Sequence, residues 1–228
     1  MRTRLAAGKP TGKVRDAQKK LYRNTDIDPD FRKDDQARQD KVAADLKSDK
    51  ELATARGGWA KLDKDGLRKM LGKVVAAQSK EYGISPPPII FFPDEEEGVS
   101  KSAGKVLGYY NDGDGKLHIN LDPAAGIKDF TSSINVVLHE NAHHYQAELA
   151  KLVESGKLKP ADPRYKQALM FAVNELDPGG YIDPDKSADK TKGVQDYKNQ
   201  LLERSAFETG TSTASRVSTA VKPPAPGP

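Results

Sequence analysis

The chain has 228 residues, of which 36% are hydrophobic and 31% charged, with a formal net charge of +4. That balance is less apolar and more charged than an ordinary globular protein, and it predicts a folded centre with loose ends. Cysteine is absent, which excludes a disulfide framework and thiolate metal ligands; no apolar run of about 18 residues exists either, which excludes a membrane-spanning helix.

Charge is concentrated at the start. Residues 1–23 carry eight basic side chains (Arg2, Arg4, Lys9, Lys13, Arg15, Lys19, Lys20 and Arg23) against one acid, Asp16, so the remainder is slightly acidic. A solvated arm is expected there, able to touch an anionic surface or a transport partner. No aromatic ladder interleaves the basic residues, so nucleic acid is not an expected partner. No apolar segment follows the first arginines, so an ordinary secretory signal is not expected. On this reading the chain is made and folded in a cytoplasm, and any export uses a specialised route.

Asp34 to about Ala55 is rich in helix formers, but Val42, Ala43, Leu46 and Leu52 are sparse, which predicts a peripheral helix ended by Gly57-Gly58. A firmer helix follows: Leu67, Met70, Leu71, Val74, Val75 and Tyr82 form one stripe, with Asp63 or Asp65 as cap and Gly83 as terminator. Pro86-Pro87-Pro88 forces extended chain into the short apolar strand Ile89-Ile90-Phe91-Phe92. After an acidic loop over Asp94–Gly104, Lys105–Tyr110 and Lys116–Leu121 read as two strands joined by Asn111-Asp112-Gly113-Asp114-Gly115. That sequence is hairpin-turn chemistry and lacks the later ligands of a calcium loop. A helix capped by Asp129, Thr131 or Ser132 is expected to run to about Lys151. A weaker helix follows Pro163 and stops at Asp177-Pro178-Gly179-Gly180, and a polar loop covers 181–192. A last helix is expected over Val194–Glu208, then a disordered Ser/Thr/Pro-rich tail. The expected organisation is therefore a basic arm with a peripheral helix over 1–60, a folded domain over 61–209 and a tail over 210–228.

The chemistry is concentrated in His139-Glu140-Asn141-Ala142-His143. Histidines four apart on a helix project from one face and can share one tetrahedral metal, and the glutamate beside the first can take a proton from a water at that metal. The flanks Val136, Val137, Leu138, His144 and Tyr145 carry no formal charge at neutral pH, unlike a surface helix that matches by chance. Zinc is the expected ion. A catalytic zinc takes three protein ligands. Gln146 and Leu149 stand where one subtype would place a glycine and a third histidine, so the remaining ligand must be a carboxylate or a remote histidine. Glu203 is the first candidate, since Leu202, Ala206 and Phe207 put it on the half-buried side of the last helix, where a carboxylate needs a partner. A loop aspartate (Asp177, Asp183, Asp185 or Asp189) is the second.

The run Val136–Gln146, with Glu203-Arg204-Ser205-Ala206 later, resembles the zincin metallopeptidases, and among them the glutamate-zincins. Residues 62–208, about two thirds of the chain, reproduce their order of elements, and the likeness is nearest to compact domains of bacterial toxins and injected effectors. The resemblance implies an α+β fold: a small, twisted, mostly antiparallel sheet packed on a backing helix and the H-E-x-x-H helix, with a further helix bearing the ligand. It implies that His139, His143 and Glu203 hold Zn²⁺ and that Glu140 is the general base. Tyr181 or Tyr197 would stabilise the oxyanion, and Leu117, His118 and Ile119 would form an exposed strand edge that binds substrate backbone. A protein or peptide substrate follows, together with a secretion-apparatus or immunity protein as partner and export or injection by a specialised system. Some glutamate-zincins have Asp four residues after the ligand glutamate; Phe207 stands there, which leaves the partner of the first histidine unassigned. The competing reading is a non-catalytic metal-binding delivery or structural protein, against which the retained Glu140 argues.

Overall fold

The computed structural model describes residues 22, 25–92, 106–122, 126–176, 180–183 and 186–223; most of the basic arm, the acidic loop, Asp177, Asp185 and the last five residues lie outside that set. Within it the chain is α+β, with seven α-helices and one three-stranded sheet. Helix α1 (Pro29–Lys47) starts at Asp28, whose side chain accepts from the N–H groups of Asp30 and Phe31. This helix is not peripheral. Val42, Ala43 and Leu46 are buried together with Leu52 of α2 (Lys50–Gly57) and with Trp59, because α1 packs against two further helices. Helix α3 (Lys64–Tyr82) has the expected stripe, the Asp63 cap and the Gly83 stop.

The sheet consists of β1 (Ile89–Phe92), β2 (Gly108–Asn111) and β3 (Lys116–Asn120), in the order β1-β3-β2. It is mixed rather than mostly antiparallel: β1 runs parallel to β3, with Phe91 opposite Ile119, and β2 runs antiparallel, with Tyr110 opposite Leu117. The β2–β3 turn is closed by its own polar side chains. Asn111 Oδ1 accepts from Gly113 N–H at 2.9 Å and Asp114 Oδ1 from Lys116 N–H at 3.0 Å.

This order corrects one expectation. Leu117, His118 and Ile119 belong to the central strand, whose two sides are both taken by pairing, so they form no exposed edge. Leu117 and Ile119 face the core. His118 faces the other way, its Nε2 3.0 Å from Asp114 Oδ2 and its ring stacked at 4.6 Å on Tyr109. The edge nearer the motif helix is β2.

Helix α4 (Phe130–Glu154) opens with a capping box: Asp129 Oδ1 accepts from Ser132 N–H at 2.9 Å, and the Ser132 hydroxyl accepts from Asp129 N–H. Helix α5 (Tyr165–Leu176) is buried along Gln167–Asn174. The last predicted helix is in fact two, α6 (Lys190–Asn199) and α7 (Leu201–Ala220), separated by Gln200 in extended conformation. The Gln200 carboxamide accepts from Ile182 N–H at 2.9 Å and donates to Ile182 O at 3.2 Å, which pins the preceding loop to the start of α7.

Helix α7 also continues ten residues past Gly210, where a disordered tail is expected. Thr213, Ala214, Val217 and Val221 are buried there. Small side chains resemble a linker in composition, yet they let α7 lie close against α4. The described parts of 25–60 and 210–223 thus share packing with 61–209, and neither expected boundary divides the core.

Two apolar clusters fill the interior. One gathers α1, α2, α3, the sheet, the first half of α4 and the end of α7. The other gathers Ile27, Phe31, Tyr82, the second half of α4, α5 and the Leu201-Leu202 start of α7. The H-E-x-x-H residues lie on α4 at the junction between them.

Candidate metal centre

On α4, His139 and His143 stand one turn apart, as their spacing requires, with their Nε2 atoms 3.1 Å from each other. Glu203, in the first turn of α7, brings Oε2 to 3.5 Å from His139 Nε2 and 3.4 Å from His143 Nε2. Donor atoms about 2.0–2.1 Å from a tetrahedral ion stand about 3.3–3.4 Å from one another, so the three atoms form one face of such a tetrahedron. Among the described residues this is the group of three His, Asp or Glu side chains able to hold a metal ion. Of the loop aspartates, Asp183 pairs with Lys186 at 3.5 Å and Asp189 caps α6; neither joins the group.

Burial is graded across the site. The Glu203 side chain is 1% exposed and that of His143 2%, whereas the His139 side chain keeps 12%. A carboxylate with no solvent contact is costly unless a cation or several donors meet it. The group is therefore closed on the α7 side and reachable from the His139 side.

Two close approaches assemble it. A Cβ on Gly210 of α7 would lie 3.0 Å from His139 Cβ and 3.1 Å from His139 N, so only glycine lets the helices come this near. A Cβ on Gly108 of β2 would lie 2.8 Å from Val136 Cγ1, so glycine likewise lets the sheet edge settle on α4. As a result Tyr110 N–H donates to Glu140 Oε2 at 3.0 Å, while Glu140 Oε1 stands 3.8 Å from His139 Nε2. The pairing register turns the N–H and C=O of Gly108 and Tyr110 away from β3. The carboxylate is thus held by β2's outer edge, beside the metal group.

No protein-family model, curated protein or solved structure matches this chain.

Four further residues shape the site, none of them among the site residues expected from the sequence. Gln146 accepts from His143 Nδ1 at 2.8 Å and donates to Leu202 O at 2.9 Å. Asn141 donates to Gln78 Oε1 at 2.8 Å and Ser79 Oγ at 3.2 Å, fastening the motif turn to α3. Phe207 lays its ring against His139, centroids 4.5 Å apart. His144 packs on the Tyr110 ring at 5.0 Å, and burial pushes its imidazole below the ordinary range, which favours the neutral form. The signal for Gln146 and His144 is the helical period itself, since they follow His143 and Glu140 by three and four residues. Tyr181 and Tyr197 meet each other edge to face at 6.1 Å, and Tyr181 packs on the second apolar cluster; the Gln200–Ile182 bonds hold that pair near the start of α7.

Proposed function

We propose that this chain is a zinc metallopeptidase of the zincin type that hydrolyses peptide bonds in a protein substrate. The observation that carries the reading is the coincidence of three things at one place: a two-histidine, one-glutamate donor set, a carboxylate beside it, and the outer edge of a β-strand against that carboxylate. Two imidazoles and a carboxylate are a donor set that suits zinc. A structural zinc is normally closed by four protein ligands, and three ligands with a reachable side fit a catalytic ion better. When bound, zinc supplies Lewis acidity toward a carbonyl and lowers the pKa of a water toward neutrality.

The chain's own groups do the rest. A substrate segment added along β2 would pair with the backbone groups of Gly108 and with the Tyr110 carbonyl, the Tyr110 N–H staying on Glu140; β2 thereby takes over the edge role first expected of Leu117, His118 and Ile119. Tyr110 N–H orients Glu140, which takes the proton of the attacking water and passes it to the leaving amine. Tyr181 and Tyr197 remain the candidates to donate to the oxyanion. The toxin or effector role, with delivery by a specialised apparatus and an immunity partner, belongs to the same proposal and rests on the motif's flanks and on the basic arm.

The test is Glu140→Gln, assayed for zinc content and for cleavage of an unfolded protein substrate. Retained zinc with cleavage reduced by at least about 10²–10⁴-fold supports the reading. Cleavage at the wild-type rate would remove Glu140 as base, and a full complement of zinc in a wild-type protein that cleaves nothing would favour the non-catalytic alternative.

A further inference from the structure

Gln146 joins the second histidine to the helix that carries the third ligand, and its hydrogen bonds can be assigned without ambiguity. The Leu202 carbonyl can only accept, so the group 2.9 Å from it must be the Gln146 amide nitrogen. That fixes the carboxamide's orientation and turns its oxygen toward His143 Nδ1 at 2.8 Å. An oxygen at that distance requires a proton on Nδ1. In the neutral ring the lone pair then lies on Nε2, the atom that faces His139 and Glu203. Leu202 immediately precedes Glu203, so the same side chain holds the backbone of the ligand turn. At 2% exposure Gln146 has little water to compete for either bond.

We infer that Gln146 is the positioning residue of the metal centre: it locks His143 in the tautomer that presents Nε2 and fixes α7 so that Glu203 meets that atom. This rests on the metal-binding part of the reading above and not on peptidase activity. It follows from the two contacts together, because a residue that only filled space would need neither a donor nor an acceptor in those places.

Its test is made on the full-length chain freed of metal with a chelator, at about pH 8.5, where an ordinary imidazole is neutral. Two-bond ¹H–¹⁵N spectra of the wild type should show His143 protonated on Nδ1; a proton on Nε2 overturns the inference whatever any variant does. Gln146→Met keeps length and apolar packing but neither hydrogen bond. It should give a mixture of tautomers and lower zinc affinity about 10–100-fold by chelator competition. Gln146→Glu keeps the acceptor for Nδ1 but puts an oxygen against the Leu202 carbonyl. It should hold the Nδ1 tautomer while still weakening zinc, and it separates the two roles even if the methionine variant does not fold. Wild-type tautomer and zinc affinity within about twofold in either folded variant would overturn the inference. If both measurements come out as expected and the zinc-loaded wild type cleaves no protein, the peptidase reading fails and this one stands.

Discussion

Gly210 and His139 lie so close that a single methyl group does not fit between them: a Cβ on the glycine would stand 3.0 Å from that of the histidine. The glycine lies two turns beyond Glu203 on the same helix, so the contact sets how deeply the Glu203 carboxylate reaches. Gly210→Val should push α7 outward and lower zinc affinity tenfold or more, while far-ultraviolet circular dichroism keeps its helical signal. Unchanged affinity in chelator competition would mean that the crossing has slack which the geometry does not suggest.

Glu203→Ala should remove bound zinc from protein purified without added metal, since it deletes a ligand and the charge that balances the ion. It should also abolish the rise in melting temperature on adding zinc to the metal-free wild type, a rise worth about 2.7 kcal/mol at a hundredfold excess over Kd. Glu208→Ala, at the far side of the next turn, removes an exposed ion pair with Arg32 and should change neither quantity. Loss of zinc in Asp183→Ala instead would move the third ligand to the loop.

Ending the chain at residue 209 should cost the domain its cooperative melt. Val217 and Val221 are fully buried and Ala214 nearly so, and the truncation strips all three from the cluster that contains Leu46, Leu52 and Leu138. Complete burial of a valine is worth about 1.5–3 kcal/mol, a large share of ordinary stability. Removing residues 25–50 should do the same through Val42 and Leu46. A truncated chain that melts like the whole one would show that these segments are accessories.

Asp129 links the stability of the motif helix to pH. The Ser132 backbone N–H and then the Ser132 hydroxyl hold its carboxyl below the usual range. A depressed folded-state pKa contributes stability above the unfolded value of about 3.9 and loses it as pH falls through the folded value. Asp129→Ala should therefore cost about 1 kcal/mol at neutral pH, and the gap should narrow as the protein is acidified below about pH 4. Parallel melting curves of the two proteins at all pH values would contradict this.

Local pattern carried the chemistry, and distant pairing did not. His139, Glu140 and His143 are legible because one helix with one period positions them. Glu203 is legible because Leu202 and Ala206 mark the inward face of α7, whereas Phe207, expected on that side with them, is 43% exposed. The central place of β3 is invisible to alternation, since it depends on β1 arriving in parallel from beyond the loop and the hairpin. The second half of α7 is hidden for another reason: Thr213, Ala214 and Ser215 have the composition of a linker, yet Thr213 and Ala214 are buried and pack through closeness rather than bulk. In the sequence Gln146 marks only the absence of a ligand, whereas the folded chain gives it two hydrogen bonds beside His143 and Glu203.

The break at Gln200 has a consequence for how this protein can vary. Because the helix restarts there, the angle at which Glu203 points is decided by Leu201, Leu202, Ala206 and Gly210 and not by the phase of α6. Residues added to or removed from α6 would rotate that helix without rotating the carboxylate. The stretch from Lys190 to Lys198 is accordingly the place where a fluorophore, an epitope or an extra turn can be inserted with the metal group left in register, provided that Ile182 and Gln200 still find each other.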